Sequence, residues 1–386
     1  MAPKAVQLDI YRMSIPMRGF DHAAATRNTA ESIITQLRYD DGFVGYGETL
    51  PRDYVTGETL QSVPDDIAAI WEMLDKNLLS PGSAITDLPT IKARCTNAAA
   101  CAIEVASLRR IFHDLHSIPA EVIQKIANRP RMRAFIDAKV SGVLGSKDPR
   151  KTSRRLRLMR WFGLTDFKLK LGMGDEIDRK NLELVHRKLR GGLKRGECTL
   201  RVDVNGGWDM DTTPERIEAL QQYGVCVVEQ PVYCSAAKLA ELSGKCCLPL
   251  MADESILTAR DAKTLLNAPN PIWWNLRISK NGGIVPTLKL MNLAAQREVP
   301  FTLGCMVGES SILSAAQRRL LQLGPFPRFV EGNYGRYLLS DDLLQGRKSL
   351  RFGYGGSLRT LKSDGLGIEV SQDKLDQYTQ HLKTLL

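Results

Sequence analysis

Three acidic residues, Asp203, Glu229 and Asp253, each close a short apolar run: CTLRVDV (198–204), VCVVEQP (225–231) and LPLMADE (248–254). Buried carboxylates repel one another, and they are stable together only when a cation neutralises them. Oxygen-only ligands select a hard cation, and a site that keeps positions for water and substrate suits Mg²⁺ better than the more enclosing Ca²⁺. A fourth run, DFKLKL (166–171), carries Lys168-Leu169-Lys170. Alternate residues of a strand share a face, so both ammonium groups point the same way, and their repulsion lowers the pKa of at least one. A fifth run, IWWNLRI (272–278), ends near Arg277. Together these residues suit removal of a proton beside a carboxylate: the metal polarises the carboxylate, a lysine takes the proton, and the metal stabilises the resulting enediolate.

Residues from so many segments converge only if the fold gathers them. Eight apolar runs start at residues 132, 166, 198, 225, 248, 272, 300 and 328, from MRAFIDA (132–138) to RFVEG (328–332) by way of PFTLGCM (300–306). Stretches with helical spacing, such as TTPERIEALQQYG (212–224), lie between them, leaving room for one strand and one helix per unit. A β-then-α unit repeated eight times is the pattern of a closed (β/α)₈ TIM-type barrel, whose strand ends converge on one mouth. The runner-up is an open doubly wound sheet, for which VSGVLGS (140–146) is a weak match to a phosphate loop. Before the barrel, QLDIYRMSIP (7–16), SIITQLRYDD (32–41) and FVGYGETL (43–50) read as strands, with DDG as a hairpin turn. Helical spacing follows at 63–77 and 96–115. The expected division is an α+β capping domain over 1–130, a barrel over 131–340 and a segment over 341–386 that packs back on the cap.

The 386-residue chain is 43% hydrophobic and 25% charged, so disorder is not expected, and no apolar run approaches the roughly 20 residues that span a bilayer. A soluble, cytoplasmic protein with reduced, buried thiols among its eight cysteines is the expectation. The adjacent Cys246 and Cys247 lack a second pair at zinc-ligand spacing, and His113 and His116 lack a third ligand. Net charge is +10, with much of the excess in 147–160 and 179–195. There the basic residues recur among apolar ones at helical spacing and without interleaved aromatics, which reads as solvated helix faces rather than a nucleic-acid platform.

The motifs Lys168-Leu169-Lys170, Asp203-Val204-Asn205-Gly206-Gly207-Trp208, Glu229-Gln230-Pro231 and Asp253-Glu254-Ser255 resemble the enolase superfamily. The likeness is to its muconate-lactonizing and dipeptide-epimerase-like branch, and it runs from about residue 5 to the C-terminus. It implies a capping domain, a modified barrel, Mg²⁺ on Asp203, Glu229 and Asp253, a small-molecule carboxylate substrate and a homo-oligomer. Lys170 would be the base, Lys168 would tune it, and Asn205 and Glu254 would support the ligands from behind. Pro16 to Phe20 and Arg52 to Glu58, with Arg52, Tyr54 and Thr56, would close over the substrate. Cys305, Met306 and Glu309 after strand seven, and Glu331 after strand eight, would line the mouth.

One position departs from the pattern. The branch carries a second lysine in K-x-x-x-x-G-G, whereas this chain has Arg277-Ile278-Ser279-Lys280-Asn281-Gly282-Gly283. Arginine keeps its proton and is a poor base, so one-base chemistry is the first expectation: cycloisomerisation, elimination or dehydration. Racemisation or epimerisation of a dipeptide or N-acyl amino acid is the second, and a metal-binding barrel without turnover the third.

Overall fold

The computed structural model describes residues 3–22, 25–75, 95–111, 133–346, 349–361 and 365–386. His113 and His116 lie outside them.

The N-terminal strands β1 (Ala5–His22), β2 (Ala25–Tyr39) and β3 (Val44–Thr49) form an antiparallel sheet. The expected DDG turn joins the last two, with Gly42 in the left-handed region at φ 84°. After the short helix α1 (Asp53–Thr56), α2 (Val63–Met73) and α3 (Asn97–Ile111) complete this layer. Period-two alternation on β1, shifted by one residue at an irregularity after Ile10, buries Leu8, Ile10, Met13 and Ile15. Gly45 and Gly47 let β3 ride directly on α3: a Cβ at either would stand 2.0 Å from the carbonyl oxygen of Ala106 or Ala102.

The barrel strands are β4 (Gly142–Leu144), β5 (Asp166–Lys170), β6 (Thr199–Asp203), β7 (Val225–Glu229), β8 (Leu250–Ala252), β9 (Trp273–Leu276), β10 (Phe301–Leu303) and β11 (Phe329–Val330). They pair in chain order, every neighbour parallel, and a parallel bridge between Val140 and Val330 joins the two ends. The intervening helices are α4 (Pro149–Trp161), α5 (Asp175–Lys194), α6 (Thr213–Leu220), α7 (Ala236–Ser243), α8 (Ala259–Leu265), α9 (Ile284–Gln296) and α10 (Ser311–Leu323). The fold is therefore the closed barrel with an antiparallel cap, not the doubly wound sheet.

Seven of the eight expected strands are found where the apolar runs lie. The first is not: residues 133–138 form no strand, and Phe135 is 64% exposed. The glycine-bearing run at 140–146 supplies β4 instead. Its Gly142 marks close packing rather than a phosphate loop, because a Cβ there would meet Met159 Sδ at 2.8 Å.

Near the C-terminus, α11 (Gln372–Tyr378) leads into β12 (Thr379–Leu385), which pairs antiparallel with β1. Other parts of the tail stay on the barrel: Arg318 of α10 donates to the Arg351 and Arg359 carbonyls. Two buried glutamates pin the cap to barrel helices. Glu48 accepts from Ser310 N, Ser310 Oγ and Leu313 N at the start of α10, and Glu104 accepts from Ile284 N and Val285 N at the start of α9. Each satisfies N–H groups that a helix N-terminus leaves unpaired.

Candidate active site

Register sets the first row of the mouth. Lys170 stands level with Asp203, and Asp203 with Glu229, on β5, β6 and β7. Asp253 and Arg277 are the residues that immediately follow β8 and β9. The three carboxylates are fully buried, as the alternating pattern requires of side chains aimed into a barrel. Asn205 and Gln230, just past β6 and β7, adopt left-handed backbone at φ 49° and 37°, which costs on the order of 1 kcal/mol per non-glycine residue. That turn aims Asn205 Oδ1 at Lys170 Nζ, which donates to it at 2.8 Å. Gln230 Oε1 accepts from Asp253 N and Ser255 N, holding the end of β8.

The two lysines of β5 do share a face, yet their surroundings differ. Lys168 Nζ lies 2.7 Å from Glu331, 3.2 Å from Glu229 and 3.3 Å from Asp203. Burial works against its charge, but Glu229, Glu331 and Asp203 outweigh burial and hold its proton more firmly than on a free lysine. Repulsion within the Lys–Lys pair therefore does not lower Lys168. Lys170 Nζ is 3.4 Å from Asp203 and lines a cavity of about 540 Å³ over the mouth.

Lys280 takes no part in that cavity. It is buried behind Asp253, donating to Asp253 Oδ1 at 2.9 Å, Asp253 O at 2.5 Å and Asn275 O at 2.7 Å. Arg277 lines the cavity instead; its Nη2 pairs with Asp253 Oδ2 and lies 3.8 Å from Glu229 Oε1. In an eight-stranded barrel, β5 and β9 are four strands apart, so Lys170 and Arg277 approach from opposite sides, with the carboxylates of β6 to β8 on the arc between them.

Of the remaining expected residues, Arg52, Tyr54, Asn205, Glu254, Cys305, Met306, Glu309 and Glu331 line the cavity, as does Arg18 from the expected closing segment. Thr56 does not: it is buried within the cap, where its Oγ1 accepts from Glu58 N. Burial pushes Glu309 up to about 8 and, with the charge of Asp203, Glu254 up to about 7. Burial alone would also raise Glu331, but Lys168 and Arg201 pull it down to about 2.

Several residues of the site, two of them buried behind the wall, were not expected from sequence. Arg201, wholly buried, pairs with Glu331 at 2.7 Å and stacks on Phe329 at 3.9 Å. Asn275 donates to Glu229 Oε1 at 2.7 Å. Both sit two residues before a residue that was singled out, Asp203 and Arg277, so the period-two signal was present. No local signal marks Arg154, Arg155, Leu158 and Phe162 of the α4 region, a basic stretch read as solvated, as cavity wall.

The donor set suits a hard divalent cation: three fully buried carboxylates on neighbouring strand ends, with Asp203 Oδ2 making no well-formed hydrogen bond among the described residues despite its two lysine neighbours. As the side chains stand, no three acidic, histidine or cysteine groups among the described residues converge on one point.

Comparison with known proteins agrees with this geometry. Residues 151–374, more than half of the chain, match the family model described as enolase C-terminal domain-like. The chain belongs to this enolase-like family. Its sequence is 27% identical to the N-succinyl-L-Arg/Lys racemase of Bacillus cereus over 395 residues, covering 97% of this chain and 98% of that protein. It is also 27% identical to the L-Ala-D/L-Glu epimerase of Francisella tularensis subsp. novicida, over 83% of this chain and 88% of that one. In fold it resembles the muconate lactonizing enzyme of Pseudomonas fluorescens complexed with muconolactone, with TM-score 0.77, 23% identity and coverage of 98% of this chain and 100% of that one. The dipeptide epimerase of Enterococcus faecalis complexed with Mg and L-Leu-L-Tyr gives TM-score 0.78 at 24% identity, covering 96% of this chain and 100% of that one. The muconate-lactonizing and dipeptide-epimerase branch is thus the right one. These enolase-like relatives are isomerases, and the racemases and epimerases among them favour the second functional expectation over cycloisomerisation or elimination. Among the described residues no helix is long and apolar enough to cross a membrane, and all eight cysteines are free thiols.

Proposed function

We propose that the protein is a Mg²⁺-assisted isomerase that inverts the carbon next to the carboxylate of an N-acylated amino acid. The observation that carries this reading is the pair Lys170 and Arg277, which line the cavity from opposite sides of the barrel with Asp203, Glu229 and Asp253 buried on the strand ends between them. Asp203, Glu229 and Asp253 would hold the ion, which supplies positive charge to the substrate carboxylate. Lys170, oriented by Asn205, takes the proton from one face as the C–H electron pair moves toward the carboxylate. A proton from solvent then reaches the same carbon on the opposite face, where Arg277, keeping its own proton, stabilises the negative charge of the enediolate.

The wall supports an N-acyl substrate over a dipeptide with a free ammonium group. Arg18, Arg52, Arg154 and Arg155 line the outer cavity. Glu331 is taken up by Lys168 and Arg201, and burial pushes Glu309 up to about 8, which disfavours its charge. A distal carbonyl or carboxylate suits such a wall and an ammonium group does not.

A second reading, one-base cycloisomerisation or elimination, is favoured by the same Arg277, because a guanidinium holds its proton. Incubation of L and D N-succinyl and N-acetyl amino acids in D₂O with Mg²⁺, followed by proton NMR and circular dichroism, separates the two. Inversion with deuterium at the α-carbon is the expected result. Exchange that retains configuration indicates one-base chemistry, and no exchange with either enantiomer across the N-acyl series rejects the proposal.

A further inference from the structure

The guanidinium of Arg277 is paired with Asp253 and lies within 3.8 Å of Glu229, two of the three expected ligands. It is poorly seated there: among the described residues, its buried Nε has no hydrogen-bond partner. The opposite side of the side chain lines the cavity, where Nη1 lies 3.5 Å from the Met306 sulfur. Lys280 differs, being held by three acceptors and fully buried, and it stays with Asp253 whatever Arg277 does.

We infer that Arg277 is a displaceable counter-cation for the metal site. Without a divalent ion its guanidinium neutralises Asp253 and Glu229. Binding of the ion releases those carboxylates from it and sends Arg277 into the cavity, onto the face of the substrate opposite Lys170. The inference rests on the reading of Asp203, Glu229 and Asp253 as metal ligands. It adds that the arginine at this position couples ion binding to the placing of a fixed positive charge on the second face of the substrate, whereas a shorter lysine would couple them less. An internal competitor lowers apparent affinity by the fraction of time it leaves the site open, so occupancy near nine-tenths weakens ion binding about tenfold.

The test is Mg²⁺ calorimetry and Mn²⁺ titration by electron paramagnetic resonance on wild type, Arg277→Met, Arg277→Lys and Asp253→Asn, with thermal unfolding measured with and without Mg²⁺. Arg277→Met should bind the ion about tenfold more tightly, unfold at lower temperature without it, and gain more on adding it than wild type does. Arg277→Lys should fall between the two, and it carries the test if the methionine variant does not fold without metal. Equal or weaker binding by both variants, with metal-free unfolding unchanged, overturns the inference while leaving the metal site intact. Failure of wild type and both variants to bind either ion, with Asp253→Asn no different, removes the metal site and the inference together.

Discussion

Two strand ends of the same barrel each present a pair of basic residues, and they put them to different uses. On β5, Lys168 and Lys170 are two residues apart and both line the cavity, but Lys168 is caged by Asp203, Glu229 and Glu331 whereas Lys170 is oriented by Asn205 beside Asp203. After β9, Arg277 and Lys280 are three apart, and the chain has already turned: Asn281 N donates to Arg277 O at 2.9 Å and Arg277 N to Asn281 Oδ1 at 2.8 Å. That turn carries Lys280 beneath Asp253 and leaves Arg277 alone at the cavity. Charge and proximity in sequence are similar in the two pairs; on β5 the surrounding carboxylates, and after β9 the backbone path, separate the roles of the two members.

The comparison breaks most sharply at Lys170. Lys170→Ala should lower α-proton exchange on N-acyl amino acids by about 10²–10⁴-fold, the usual range for loss of a general base. Undiminished exchange, read by NMR in D₂O, would remove Lys170 from the reaction and with it the asymmetry between its two faces. At the other pair, Lys280→Met leaves the Asp253 carboxylate buried without its ammonium partner and should cost about 3–5 kcal/mol of stability by urea unfolding in metal-free buffer. A cost below about 1 kcal/mol would show that Arg277 alone neutralises Asp253.

The cap contacts give a pH prediction. Burial pushes Glu104 up to about 8 and Glu48 up to about 7, from an ordinary value of 4.5. A folded pKa above the unfolded one means that the folded state binds the extra proton. The stabilisation is complete below about pH 4.5 and is lost as pH rises toward 7 and 8, at up to about 1.4 kcal/mol per pH unit for each group. The unfolding free energy should fall accordingly between about pH 5 and pH 8, and Glu104→Gln should flatten the decline. An unchanged slope would mean that the N–H groups of α9 stabilise the carboxylate enough to cancel its burial.

The smallest expected effect is at the rim. Arg154→Ala should raise KM for N-succinyl amino acids severalfold with little change in kcat, since an exposed charge pair is worth about 0.2–1 kcal/mol. An equal change for N-acetyl substrates would argue against contact with a distal carboxylate.

Much of this arrangement was readable before any coordinates. Period two placed Lys168 with Lys170, and the repeat of apolar runs predicted the barrel and the strand ends. The same rule, applied two residues back from Asp203 and Arg277, would have found Arg201 and Asn275. The misplaced first strand has a different cause: an exposed alternating run and a buried one look alike in one dimension, and Gly142 pointed to close packing only once Met159 and Phe167 were in place beside it. Thr56 was placed at the site because it belongs to a segment whose neighbours, Arg52 and Tyr54, do reach the cavity.

By itself the sequence determined which side chains share a strand face, how many units repeat and which donor chemistry gathers at their ends, because these follow from local periodicity and residue type. Only the tertiary structure decided that Arg277 rather than Lys280 opposes Lys170, that Lys168 is bound among carboxylates, and that Arg18 of the cap and Arg154 of α4 share a wall. Those outcomes depend on barrel closure and on the turn after β9, which bring together groups that no local spacing relates.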